Sequence, residues 1–185
     1  EAAGGEIYHT ILYLEPSTHE QGTIWAGSDD GLVHVTKDGG KTWDNVTPNS
    51  LQEGMVNAID VSPHDPATAY IAFTRYKFAD FKPYIYKTNN YGKSWKKIVR
   101  GIPDDAYVRV VREDPVKKGL LYSGTELGLF VSFNDGKEWQ PFQLNLPIVP
   151  ITDLTFRNND LVASTLGRAF WILDDLSPLQ SLSAD

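Results

Sequence analysis

The 185 residues include no cysteine, one methionine and four histidines. Without cysteine no disulfide contributes to stability in any compartment, and no thiolate is available to a zinc site. His9, His19, His34 and His64 are scattered and form no His-x-x-x-His pair, so no metal and no cofactor is expected. Basic charge is also short: 17 Lys and Arg stand against 24 Asp and Glu, a formal net charge of −7. Phosphate binding needs clustered Lys and Arg, so nucleic acid is not an expected partner. No apolar run approaches the roughly 18 residues of a membrane helix, so no membrane span is expected. The start at Glu1-Ala-Ala-Gly-Gly carries neither Met nor a signal peptide, and reads as a processed chain or an excised segment.

Turn residues and aromatics are plentiful instead. Fifteen Gly, eleven Pro, five Trp and nine Tyr suit short strands joined by tight turns. One eight-residue turn occurs three times: Thr36-Lys-Asp38-Gly-Gly40-Lys-Thr-Trp43, Thr88-Asn-Asn90-Tyr-Gly92-Lys-Ser-Trp95 and Ser132-Phe-Asn134-Asp-Gly136-Lys-Glu-Trp139. The Asp or Asn can accept backbone N–H groups two or three residues on, and the Gly supplies positive φ. The Trp opens the next strand and buries its ring between neighbouring sheets, with its N–H free to bond a carbonyl. These residues read as structural rather than catalytic. The copies begin at 36, 88 and 132, and a period of about 40–50 residues built from strands is the signature of a propeller blade.

The expected fold is therefore all-β: a single propeller segment over 1–185 with about four blades of four-stranded antiparallel sheets, at approximately 6–48, 49–100, 101–146 and 147–180. The fourth blade stops at Asp174-Asp175 without the repeated turn or a Trp-led outer strand. The turn between second and third strands repeats as Ala26-Gly-Ser-Asp-Asp-Gly31-Leu and Ser123-Gly-Thr-Glu-Leu-Gly128-Leu. Blade two replaces it with a longer loop, Arg75-Tyr-Lys-Phe-Ala-Asp-Phe-Lys-Pro83. An aromatic insertion in a regular repeat is a candidate binding element, or else packs over the adjacent blade.

These boxes resemble the Asp-boxes, or bacterial neuraminidase repeats, shared by sialidases, xyloglucanases and sortilin-type receptors. The runs Val108-Arg-Val-Val-Arg-Glu-Asp-Pro, Leu121-Tyr-Ser-Gly-Thr-Glu and Gly167-Arg-Ala-Phe-Trp-Ile-Leu-Asp-Asp175-Leu resemble the closing blades of large bacterial sortilin-like propeller proteins. Proteins of that kind often carry the label glycosyl hydrolase. The resemblance implies a longer, exported parent, extracellular or periplasmic. A sialidase would need an Arg-Ile-Pro motif, which is absent. Other glycosidases need two carboxylates about 5–5.5 Å or 6.5–9.5 Å apart, and spacing singles out no pair. The favoured reading is a non-catalytic segment binding a protein, peptide or glycan; the alternative is part of a carbohydrate-active hydrolase.

In a propeller the second-to-third turns and the links between blades share one rim, opposite the repeated box turns. Ligand contacts are expected there, from Asp29, Asp30, Tyr76, Phe78, Asp80, Phe81, Asp104, Asp105, Glu126 and Arg168, with all six acids in loops. Aligning the Asp-Pro turns at Asp65 and Asp114 predicts an Asp60–Arg109 ion pair between adjacent inner strands near the axis. With its outer strand missing, the segment is expected to be an arc, completed by the rest of a larger propeller or by a second copy.

Overall fold

Each repeated turn closes on its own side chains. In the first copy the Thr36 hydroxyl accepts from the Gly40 N–H at 3.0 Å, while Asp38 Oδ1 accepts from Lys41 and Thr42 N–H at 2.9 Å. The others repeat this: Thr88 and Ser132 accept from Gly92 and Gly136, and Asn90 and Asn134 accept from the N–H four residues on. Gly40, Gly92 and Gly136 have φ of 91°, 78° and 76°, where any other residue is strained. The acceptor bonds three and four residues on, one step further than the sequence reading. Asn therefore replaces Asp without loss of the turn, although only Asp38 is charged. Bonds led by the Thr42 hydroxyl draw its carboxyl down to about 2.

The computed structural model describes residues 8–182, which form four antiparallel sheets. Blade one holds β1 (Ile11–Pro16), β2 (Ile24–Ser28), β3 (Val33–Thr36) and β4 (Asp44–Asn45). Blade two holds β5 (Met55–Val61), β6 (Ala69–Arg75), β7 (Asp80–Thr88) and β8 (Lys96–Lys97). Blade three holds β9 (Val108–Glu113), β10 (Leu121–Thr125), β11 (Gly128–Ser132) and β12 (Gln140–Pro141). Blade four has only β13 (Ile151–Arg157), β14 (Asp160–Thr165) and β15 (Phe170–Leu173), followed by a short helix α1 (Ser177–Ser181). Each sheet runs in chain order from the inner to the outer strand, and the inner strands of successive blades pack on one another. The outer strands are two residues long, so each box Trp stands one residue ahead of its strand instead of opening it.

The core lies between blades. Trp25, Tyr70 and Tyr122 occupy the same register position in the second strands of blades one to three, facing the next blade, and all are fully buried. Burial of a large side chain there contributes about 1.5–3 kcal/mol. A small residue sits two positions on. A Cβ added at Gly27 would lie 2.4 Å from Val56 of blade two, so glycine sets how closely blades one and two approach.

Every inner strand carries one unpaired extra residue, a β-bulge, at Leu12, Asn57, Arg109 and Thr152. Counting from these bulges corrects the expected axial pair. Asp60 is equivalent to Arg112, not Arg109: they lie opposite Tyr70 and Tyr122 respectively. Asp60 lies 3.8 Å from Arg112, and Arg109 pairs with Glu126 instead. The expected alignment matched Pro66 to Pro115. In the structure Ser62 and Asp114 are the residues whose N–H closes the inner turn, so Pro63 is the true counterpart of Pro115.

Candidate binding rim

The insertion of blade two is less a loop than a lengthened hairpin. β6 and β7 stay paired out to Arg75 opposite Asp80, and a single 3-10 turn over Tyr76–Phe78 joins them. Asp80 and Phe81, expected in a loop, therefore lie on a strand. Ala79 closes the turn at φ 55°, and its N–H bonds the Tyr76 carbonyl. At the hairpin base Arg75 donates to Asp80 at 2.7 Å and to the Glu53 carbonyl at 2.8 Å, and its guanidinium lies 5.5 Å from the Phe78 ring centre. Burial pushes the Asp80 carboxyl up, but the Tyr84 hydroxyl, the Lys82 N–H and Arg75 together bring it below the usual range.

That stiff hairpin leans on blade three. The Tyr76 ring stacks on Tyr107 at 5.5 Å and 27°, and Phe81 meets the same ring at 6.2 Å. Tyr107 is buried, while Tyr76, Phe78 and Phe81 remain 38%, 46% and 50% exposed. Each of these three rings is thus partly packed and partly open to solvent. Arg109 projects from the β9 bulge, donates to the Tyr107 hydroxyl at 2.9 Å and holds Glu126 at 2.8–2.9 Å. Leu127, next in the turn, is exposed beside it. The result is an aromatic ledge across the junction of blades two and three, backed by a fixed Arg–Glu pair.

The other candidate residues lie elsewhere on this rim. Asp29 caps the chain entering β1 by accepting from Thr10 N–H at 2.8 Å, and Asp30 bonds Ser28 and His9. Burial raises the Asp30 carboxyl, and those two bonds, with backbone N–H bonds from Leu32 and Asp30 itself, overcome it and hold the group low. Asp104 and Asp105 are exposed in the link between blades two and three, where Asp104 and Asp80 both act on the Lys97 ammonium. Arg168 is exposed on blade four, and its carbonyl accepts from the Trp171 indole at 2.9 Å. The structure therefore joins Tyr76, Phe81 and Glu126, with Phe78 and Asp80 on the same hairpin, and leaves Asp29, Asp30 and Arg168 apart. Tyr107, Arg109 and Arg75 complete the ledge and were not candidates. Arg109 had been assigned to the axis, and Tyr107 follows the Pro103-Asp-Asp link without any repeat to mark it. Among the described residues no group of three or more His, Cys, Asp or Glu could hold a metal ion.

No protein-family model and no curated protein matches the chain. Solved structures do match in fold. A YCF48 bound to a D1 peptide is 19% identical with a TM-score of 0.66, over 91% of this chain and 53% of that one. YCF48 from Cyanidioschyzon merolae is 16% identical with a TM-score of 0.65, over 93% of this chain and 55% of that one. A GH74 xyloglucanase from Xanthomonas campestris is 14% identical with a TM-score of 0.68, over 88% of this chain and 29% of that one. These likenesses establish a β-propeller segment, and the chain spans about half of the YCF48 chains.

Proposed function

We propose that this chain is a non-catalytic, Asp-box, sortilin-like propeller segment of an exported protein, extracellular or periplasmic, whose rim between blades two and three binds an extended polypeptide. The observation that carries the reading is the ledge: three half-exposed rings, two of them packed on Tyr107, fixed on a paired hairpin rather than a free loop. Aromatics held rigid before binding lose little conformational entropy on contact, which favours them as anchors. Arg109 and Glu126 beside them offer one donor and one acceptor group to a backbone or side chain. The peptide complex of YCF48, a protein of the same fold, supports a polypeptide ligand over a glycan.

A hydrolase reading draws on the xyloglucanase likeness, which is one of fold alone. A glycosidase acid needs a carboxyl raised in pKa, facing a partner across an open cleft. On this rim Asp30 and Asp80 are both held low, and Glu126 is tied to Arg109. The test is a peptide array and a glycan array probed with the chain, run beside a hydrolysis assay on xyloglucan and sialosides. The reading expects selective capture of peptides and no sugar release; release of reducing ends, or capture of glycans alone, would overturn it.

A further inference from the structure

The box turns repeat one residue whose side chain their closure does not use. A lysine follows each box glycine: Lys41, Lys93 and Lys137. Only its backbone enters the turn, with Lys41 N–H donating to Asp38 Oδ1 at 2.9 Å and Lys93 and Lys137 N–H donating to the Asn90 and Asn134 carbonyls at 3.3 Å. The side chains are exposed, and none of the three forms an ion pair among the described residues. Two of them border hollows between complete blades. Lys93 lines one of about 740 Å³, between the outer strand of blade one and the box turn of blade two, together with Lys37, Asp44 and Tyr91. Lys137 lines one of about 260 Å³ at the equivalent place between blades two and three, together with Lys87, Lys96 and Asp135. The two meet at Ser94 and Trp95, which line both. Of the two carboxylates, Asp135 is already held by Lys87 at 2.6 Å and by the Tyr70 hydroxyl at 3.2 Å. Five lysines therefore face two aspartates, in a chain whose net charge is −7.

We propose that the joined hollows form a binding groove for an acidic oligosaccharide, a chain of sugar rings carrying carboxylates, separate from the peptide ledge. A cleft lined mainly by one sign of charge focuses its field on a ligand of the other sign. No arginine lines either hollow, and lysine meets single carboxylates spaced along a chain as a point charge rather than as a two-pronged fork. Between the lysines stand Asn49, Asn89 and Ser94, whose amides and hydroxyl suit a ligand rich in hydroxyl groups. At the junction the Trp95 ring is fixed before any ligand arrives: its indole N–H donates to the Val46 carbonyl at 2.6 Å, and it meets Trp25 edge to face at 6.1 Å. The ring is only partly buried, so its open part can take the polarised C–H groups of a sugar face. Lys37 sits 3.3 Å from the centre of the Tyr91 ring, whose hydroxyl donates to Glu20 at 2.7 Å, so that ammonium is held in place as well. An acidic peptide would meet the same lysines; the amide and hydroxyl lining and the fixed ring favour the sugar.

The test is isothermal titration of the chain with short oligogalacturonates at low salt. Binding is expected, weaker as salt is raised, and absent for neutral galactose oligomers of equal length. Lys93→Gln with Lys137→Gln leaves the backbone bonds of both turns in place and should cost about tenfold or more in affinity. Lys118→Gln with Arg157→Gln removes the same charge at exposed positions away from the groove, and should cost less than about twofold. Failure of the natural chain to bind oligogalacturonate overturns the proposal, as does an equal loss in the two double variants. Oligoglutamate bound as tightly as an oligogalacturonate of equal charge also overturns it, because the groove then reads charge alone.

Discussion

At the scale of single residues, the Arg112 guanidinium donates to the Leu154 carbonyl at 3.0 Å, the Ile59 carbonyl at 3.4 Å, the Tyr13 hydroxyl at 2.7 Å and Asp153 at 3.1 Å. Those partners belong to blades four, two, one and four, so one planar cation ties all four blades together near the axis. Lysine has no such fork and could not replace it. Beside it, burial pushes the Asp60 carboxyl up to about 7, against the pull of Arg112 and a bond from the Glu113 N–H. The sign of the consequence follows from proton counting. Between about pH 4 and pH 7 the folded chain keeps a proton on Asp60 that the unfolded chain has lost, so this group makes stability fall as pH rises through that window. Asp60→Asn keeps an acceptor for Glu113 and removes the titration. In urea unfolding at pH 5 and pH 8, the variant should lose less stability between the two than the natural chain, by at most about 1.4 kcal/mol per pH unit. An equal or larger loss in the variant would show that Asp60 does not titrate in this window.

At the scale of elements, the boxes were legible in the sequence because their chemistry is local. Thr, Asp or Asn, and Gly satisfy one another within eight residues, whatever surrounds them. The blade-two hairpin was legible only as an insertion. Its turn uses Ala79 at φ 55°, and no Gly or Asn marks that position, so residues 75–83 read as one loop where the strands in fact run to Arg75 and from Asp80. The axial pair was misread because the turn after β5 holds two prolines, Pro63 and Pro66, and the residue pattern alone matches the wrong one to Pro115. The ledge was half legible, since Tyr76 and Phe81 stand out in the insertion while their platform, Tyr107, comes from the link to the next blade. The proposed binding surface is thus separable from the fold. Tyr76→Ala and Phe81→Ala each remove one ring contact and the burial of half a ring, so stability in thermal unfolding should fall by about 1–3 kcal/mol. Affinity for an array-selected peptide should drop by at least about tenfold, the weight of an anchor residue. Large unfolding shifts with unchanged affinity would make the ledge a packing device.

At the scale of the whole molecule, the chain is an all-β propeller segment of four blades with two unlike rims. One rim carries the rigid box turns. The other carries the turns that vary between blades, and on it the long hairpin of blade two lies against Tyr107 of blade three. The proposed function lies on that second rim, because regular repeats fix the scaffold there and the blade-two hairpin offers open aromatic surface. Hydrogen–deuterium exchange of the chain with and without a peptide selected on the array tests this claim most directly. Protection should appear in residues 75–82, 107–109 and 126–127, with the box turns at 36–43, 88–95 and 132–139 unchanged. Protection confined to the box turns, or to the inner strands lining the axis, would contradict it.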